Sequence, residues 1–235
     1  MFNPAPLYLL IVLLFTGLVP GGLVAAGLDQ RVAQLQKKYQ QLHSLEFDFA
    51  QTTQNGGRLK QGSGNAVFYR SATAGTATGT PGIMRWNYTA PIAQTIINDG
   101  TSLSIYTPED KQLLVSPAQD MESDITYAIF TGTKNLLDEF AATPGDTRFA
   151  LNEPPSGSEA LQLTPRKPHP QVKRIQLWVT DDLTIKRLLM EDHFGSLTEL
   201  TFTNVRFNTL QPGDSRRIQA LRDLDLAPGT EVIRQ

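Results

Sequence analysis

The sequence predicts a mainly β fold with a few helices, in which one antiparallel sheet curls and helices cover its open side. Short segments with a hydrophobic period of two recur along most of the 235 residues and are separated by turn residues. One helical segment precedes these strands, and a helical pair interrupts them. A sheet of this many strands tends to curl, and its apolar face must be covered.

The first segment differs from the rest of the chain. The apolar run 7–19 carries no charge and is shorter than the roughly 20 residues of a membrane-spanning helix. The small residues Val24 and Ala26 follow it and suit a cleavage site. We expect a signal peptide over 1–26 and one domain over 27–235. No Lys or Arg precedes the apolar run, so an uncleaved anchor is the alternative.

The first element of the mature chain is predicted to be an amphipathic helix of about four turns. Its apolar residues recur at helical spacing and are Leu28, Val32, Leu35, Tyr39 and Leu42. From Leu45 the period becomes two, which predicts a half-buried strand containing Phe47 and Phe49. Asn55-Gly56-Gly57 then predicts a hairpin.

The return strand is predicted from Leu59 to Arg70, with Gly62 and Gly64 marking bends or bulges. The small-residue segment 71–80 follows it as a loop. The next strand alternates large apolar and polar residues. Because alternate side chains of a strand point to the same face, one face carries the stripe Met84, Trp86 and Tyr88.

Further strands complete the predicted sheet, and we find no domain boundary within it. Three short ones follow, over Ala93 to Asn98, Ser102 to Tyr106 and Leu113 to Ser116. Helical spacing then predicts two short helices, the first containing Met121, Ile125, Ala128 and Ile129 and the second Leu136, Leu137 and Phe140. The last strands are predicted over Ala160 to Thr164, Gln171 to Thr180, Thr184 to Asp192 and Leu197 to Phe207.

Composition and motifs argue against several classes of function. A net charge of -2 provides no general attraction for nucleic acid. The chain has no Cys, which excludes thiolate catalysis, thiolate metal sites and a lipid-modified cysteine. The three His residues have no metal-ligand spacing, and we find no nucleophile or phosphate-binding motif. We therefore predict no catalytic residues, no metal and no cofactor.

Several segments in order resemble the LolA family of periplasmic outer-membrane lipoprotein carriers. They include "LEFDFAQT", "GSGNAVFYR", "GIMRWNYTAP", "NDGTSLSIYTPEDKQLL" and "DLAPGTEVI". The most specific parts are the Arg-Trp-x-Tyr-x-x-Pro pattern at 85–91 and the Asp-Gly turn at 99–100. The resemblance covers nearly all of the predicted mature chain.

The resemblance implies an unclosed antiparallel β-barrel, a strongly curved sheet whose helices form a lid over an apolar cavity for lipoprotein acyl chains. It implies a periplasmic monomer that receives acylated lipoproteins from an inner-membrane ABC exporter of the LolCDE type and passes them to an outer-membrane acceptor of the LolB type. In the family an arginine after the second strand, usually followed by proline, holds the empty cavity shut. Arg70 matches it here, followed by 71–80 instead of proline.

On this resemblance we expect six residues to line the cavity, namely Phe47, Phe49, Phe68, Met84, Trp86 and Tyr88. An ordinary closed core is the alternative for them. In this family one residue can belong to the core of the empty protein and to the site of the loaded one. Two other functions stay open: an exported lipid-binding or lipid-sensing module like the RseB sensor domain, and an envelope structural protein held by an uncleaved anchor. The charged segment 215–225 is expected to be solvated surface.

Overall fold

The structure, a computed structural model, describes residues 21–70, 82–121, 124–132 and 134–235, with side chains from residue 27 onward. The helices are α1 (Gly21–Gln41), α2 (Ile125–Thr131), α3 (Leu136–Glu139) and α4 (Ser215–Ala220), with a 3-10 turn at Ala118–Met121. The strands are β1 (Ser44–Asn55), β2 (Arg58–Tyr69), β3 (Ile83–Ala90), β4 (Gln94–Asn98), β5 (Ser102–Thr107), β6 (Gln112–Pro117), β7 (Phe140–Pro144), β8 (Ser158–Pro165), β9 (Arg174–Thr180), β10 (Ile185–Glu191), β11 (Leu197–Phe207) and β12 (Glu231–Arg234).

All the described strands belong to one 12-stranded sheet, in the order β12-β6-β5-β4-β3-β2-β1-β11-β10-β9-β8-β7. Neighbouring strands are antiparallel except β12, which runs parallel to β6. The sheet curves, and β12 and β7 remain as its two free edges within the described residues. The predicted fold class, a mainly β protein built on an unclosed curved sheet, is confirmed.

Glycines make the first hairpin and its curvature possible. Gly56 and Gly57 have positive φ, 54° and 80°, as a two-residue hairpin turn requires. The β2–β3 register shifts between Ser63 and Gly64. A Cβ atom on Gly64 would lie 1.8 Å from the backbone oxygen of Asn87. The predicted bulge at Gly64 is therefore confirmed, and only glycine fits there.

The sheet carries apolar residues on both faces. The main core lies between its concave face and helices α1, α2 and α3, which we call the lid. On the convex face the C-terminal segment, through Leu210 and Leu221, covers Tyr69 and Ile83. Phe149, in the loop after β7, covers another convex patch, which contains Trp178 and Leu189.

The structure differs from the predictions at single residues of two segments. Phe140 was expected in a helix, but α3 is only one turn long and Phe140 begins strand β7. The segment 215–225 is expected to be solvated and is largely exposed, and α4 has no buried residue; only Leu221 is buried, because its side chain packs on the convex face. The predicted loop 71–80 lies outside the described residues.

The predicted signal peptide also lies largely outside the described part of the chain. The backbone is described from Gly21, where α1 begins, and side chains only from residue 27. Among the described residues, no helix is long and apolar enough to cross a membrane. The extent of the signal peptide stays a prediction.

Candidate functional site

The structure brings the six residues of the predicted cavity lining together on the concave face. Five of them are buried, with exposed fractions from 1% for Met84 to 7% for Trp86, and Tyr88 is half-buried. The Trp86 ring centroid lies 4.5 Å from that of Phe49 and 5.6 Å from that of Phe47. Antiparallel pairing explains this assembly, because β1, β2 and β3 are adjacent strands that present the same face.

Sequence reasoning missed three aromatic residues of this cluster, which are Tyr39, Phe130 and Phe202. Phe130, on α2, inserts among the strand aromatics, with its ring centroid 5.1 Å from both Phe47 and Phe202 and 5.6 Å from Phe68. It is 3% exposed. In this closed arrangement a side chain of the lid therefore occupies the centre of the concave face.

Helix α2 is a short helix with both ends defined. The Asp124 side chain caps its first turn by accepting from the Tyr127 backbone N–H at 2.8 Å. Gly132 ends it with a φ of 61°, the left-handed conformation typical of helix C-caps. A Cβ atom on Gly132 would lie 2.6 Å from the Gln40 side chain. The end of α2 therefore rests directly against the end of α1.

Arg70 joins these two helix ends to the sheet. Its guanidinium donates to the carbonyl oxygen of Gln40 in α1 at 2.8 Å and to that of Thr131 in α2. Both acceptors lie in the last turn of a helix, where carbonyl groups lack helical partners and favour a cation. Burial lowers the pKa of the Arg70 guanidinium.

Polar contacts also hold α1 against the far side of the sheet. The Tyr39 hydroxyl accepts from the backbone N–H of Ile185 at 3.0 Å, and burial raises the pKa of this hydroxyl. Lys38 donates to the backbone oxygen of Asp182 at 2.6 Å and forms an ion pair with its carboxylate at 3.5 Å. Helix α1 thus touches both halves of the curved sheet.

A cavity of about 170 Å³ remains between the lid and the aromatic floor. Its apolar lining includes Phe68, Met84 and Trp86 of the predicted set, and Met121 and Leu200 add to it. Ligand pockets usually measure roughly 300–1,000 Å³. The closed cavity is thus too small for a long hydrocarbon chain, and a larger space requires the lid to move.

Polar groups border the cavity at one end. The Tyr88 hydroxyl donates to Oε1 of Gln51 at 2.8 Å. Burial raises the pKa of the Tyr88 hydroxyl, and the neighbouring Trp86 indole partly offsets the rise. Asp124 and Thr126 of the lid also line this end. The described residues hold no cluster of three or more His, Asp or Glu side chains suited to a metal ion.

Comparison with known proteins identifies the family. A family model described as "Outer membrane lipoprotein carrier protein LolA" matches residues 40–214, more than half of the chain. The chain belongs to the LolA family. The matched range of this LolA-family chain contains the concave stripe, Arg70 and both short lid helices.

Individual relatives agree with this family assignment. A Chromobacterium violaceum protein named outer-membrane lipoprotein carrier protein is 26% identical over 196 residues, which is 83% of this chain and 85% of the relative. One of the same name from Cupriavidus pinatubonensis is 26% identical over 213 residues, 90% and 92% of the two chains. The crystal structure of an uncharacterized conserved protein from Thermus thermophilus covers 88% of this chain and 99% of its own at 12% identity and a TM-score of 0.50, which supports the fold alone.

The Arg-Trp motif of this LolA-family chain serves both faces of the sheet. Trp86 faces the concave side, whereas Arg85 points to the convex side, as alternate residues of a strand must. The Arg85 guanidinium donates to the backbone oxygens of Asp223 at 2.7 Å and Leu221 at 3.4 Å. Arg85 therefore holds the C-terminal segment on the convex face, much as Arg70 holds the lid on the concave one.

Proposed function

We propose that this protein is a periplasmic carrier. It binds the acyl chains of lipoproteins released from the inner membrane and delivers them to the outer membrane, without a catalytic step or a cofactor. The observation that carries the proposal is a concave aromatic floor that is covered by helices, the ends of two of which Arg70 joins to the sheet. The names of its relatives support the same role. In the proposal the predicted signal peptide exports the chain.

The chemistry of the cargo requires such a cover. Burial of each CH₂ group contributes about 0.8 kcal/mol, so exposing one long acyl chain to water costs on the order of 10 kcal/mol of free energy. A carrier must offset part of this cost and still release the cargo. In the proposal, the lid provides both functions because it competes with the ligand for the same aromatic surface, and a favoured closed state lowers the apparent affinity.

The proposed partners follow from the route. Acylated lipoproteins are the cargo, an inner-membrane ABC exporter is the donor and an outer-membrane protein is the acceptor. The carrier acts as a monomer in this proposal, and a net charge of -2 offers no reason to expect nucleic acid as a partner.

A release assay tests the proposal. Purified mature protein is incubated with inner-membrane vesicles that contain the exporter and a labelled triacylated lipoprotein, and the soluble fraction is examined for a one-to-one complex. We expect wild type to release the label and Trp86→Glu to release little, because a carboxylate on the aromatic floor opposes the acyl chains. Leu59→Glu is the matched control, since Leu59 is 63% exposed and does not belong to the concave core.

Circular dichroism must confirm that both variants are folded. Absence of release by wild-type protein would contradict the carrier function. If the same protein still bound free lipid, a lipid-sensing function would be favoured instead.

A further inference from the structure

The concave face changes from apolar to polar along β1. On β1, Phe47 and Phe49 are followed on the same side by Gln51 and Thr53. Gln51 accepts from the Tyr88 hydroxyl at 2.8 Å and donates to the Thr53 hydroxyl at 3.2 Å. A row of hydrogen-bonded polar side chains therefore crosses the face where the aromatic floor ends.

A second space adjoins the cavity beyond this polar row. It is an open groove of about 550 Å³, and Gln51 and Tyr88 line both the groove and the cavity. The other groove residues are mostly polar and include Lys60, Gln94 and Thr107. The two spaces together suit a molecule with an apolar chain on one side of the polar row and a hydrated head on the other.

One buried donor beside this boundary is poorly paired. Trp86 lines the cavity and is 7% exposed. In the part of the chain that the structure describes, its Nε1 makes no hydrogen bond of ordinary geometry, although it interacts with the Tyr88 hydroxyl and lowers the pKa of that group. A buried polar group without a partner costs about 1–3 kcal/mol, so this position is poorly explained as ordinary core.

Because an indole N–H can only donate, a better-aligned partner for it must be an acceptor. Between a hydrocarbon chain and its head group, that acceptor is the carbonyl of an ester or amide. We infer that Trp86 Nε1 donates a hydrogen bond to the acyl carbonyl of the ligand and thereby fixes how deeply the chain enters the cavity. This inference rests on the proposed function, because it describes how the same site recognises its ligand.

A pair of lipids that differ in one group tests it. Monopalmitoyl glycerol carries an ester carbonyl, and its ether analogue, hexadecyl glycerol, lacks one. We expect wild type to bind the ester about three- to tenfold more tightly by calorimetry, the range of one neutral hydrogen bond. Trp86→Phe, which keeps an aromatic ring but has no N–H, should bind both lipids equally. Trp178→Phe, on the convex face, is the matched control and should keep the preference.

Nuclear magnetic resonance provides a readout in wild-type protein. With only two Trp residues, the ¹⁵N-labelled chain has two indole signals. The ester should shift the Trp86 signal downfield while the ether does not, and the Trp178 signal should stay in place. Equal affinities with no ester-specific shift would overturn the inference and leave the proposed function intact. Failure of both lipids to bind would overturn both.

Discussion

Two arginines hold the two covers of this sheet in the same chemical way. Arg70 donates to two backbone oxygens in the lid, and Arg85 donates to two in the C-terminal segment. Burial lowers the pKa of both guanidinium groups. They differ in what lies beneath, because only the lid covers the aromatic cavity. Variants of these two arginines therefore distinguish the effect of loosening the lid from the general effect of losing an arginine.

Arg70→Leu should lower the free energy of unfolding of the empty protein by about 1–2 kcal/mol, since hydrogen bonds to a partly solvated charged group are lost. The same change destabilises only the closed lid, so affinity for monopalmitoyl glycerol should rise by about five- to thirtyfold. Urea unfolding and calorimetry measure the two quantities. Transfer to an outer-membrane acceptor should slow in parallel.

Arg85→Leu is the control for this prediction. It should cost similar stability and leave lipid affinity within a factor of two, because the convex cover does not touch the cavity. An equal gain of affinity in both variants would mean that general loosening, rather than release of the lid, governs binding.

At the scale of elements, α2 contributes the Phe130 ring, which packs among the aromatic residues of the sheet. Phe130→Ala should destabilise the protein by about 3–5 kcal/mol, because a buried aromatic ring is removed. The space left between Phe47, Phe68 and Phe202 is apolar, and a hydrocarbon chain can fill it. Lipid should therefore raise the melting temperature of this variant more than that of wild type.

Phe149→Ala provides a matched loss on the other face. Phe149 is 7% exposed, and the Cζ atom of the Arg174 guanidinium lies 3.5 Å from the centroid of its ring. Its removal should destabilise the protein without increasing the lipid-induced shift in melting temperature. A larger shift in both variants would contradict a specific role of α2.

The attachment of α1 to the β9–β10 turn should depend on pH. Side-chain hydrogen bonds from Thr180 and Thr184, aided by Lys38, lower the pKa of Asp182 to about 2. The carboxyl of an unfolded chain titrates near 3.9, so Asp182 stabilises the fold above about pH 4 and loses this contribution as the pH falls toward 2. Asp182→Asn should lower the free energy of unfolding by less than about 1 kcal/mol at pH 7, because the carboxylate is largely solvated.

Urea unfolding at several pH values checks this prediction. The difference in free energy of unfolding between Asp182→Asn and wild type should decrease steadily below pH 4. Asp181→Asn is the control in the same turn, where the exposed side chain lies 3.9 Å from Arg31. A difference that stays constant down to pH 2 would show that the charge of Asp182 does not matter.

The long elements were predictable because their periods are clear, whereas the short ones were not. Leu136, Leu137 and Phe140 fit helical spacing, yet β7 begins at Phe140 and pairs with β8. Strand β12 has only four residues and depends on β6 for its hydrogen bonds. Elements this short take their conformation from tertiary contacts, which a local pattern does not contain.

The strand residues of the candidate site were predictable from the sequence, but Phe130, the lid residue that fills its centre, was not. Period-two alternation placed Met84, Trp86 and Tyr88 on one face, but no spacing rule relates Phe130 to Phe47 across the chain. One sequence pattern indicates the convex covers. The run Ile175 to Val179 is almost entirely apolar, which is typical of a strand covered on both faces, and the structure buries all five residues.

Across the whole molecule, the loop 145–157 and helix α2 differ in how they are fixed to the sheet. The loop 145–157 on the convex face is bound by Gln176, which is fully buried and donates to the backbone oxygens of Asp146 and Phe149. Glu199, also buried, accepts from the Leu151 backbone N–H at 3.0 Å and pairs with Arg187 at 3.5 Å. Breaking such buried polar contacts is costly, so this cover should stay in place.

Within the lid, α1 is held by Tyr39 and Lys38, whereas the short helix α2 should be the part that moves. Helix α2 has seven residues, too few to be stable as a helix without tertiary support. If a lipid displaces Phe130 from the floor, α2 loses that support. Hydrogen exchange with monopalmitoyl glycerol present should therefore quicken at the α2 amides and stay unchanged in the loop 145–157.

Arg70→Leu should produce part of this change without lipid, since the variant weakens the closed lid by itself. Uniform slowing of exchange in both covers on adding lipid would mean that the ligand fits beneath a closed lid. That outcome would contradict the competition between Phe130 and acyl chain. Faster exchange confined to α2 would instead identify α2 as the mobile part of the lid, as the loss of Phe130 packing requires.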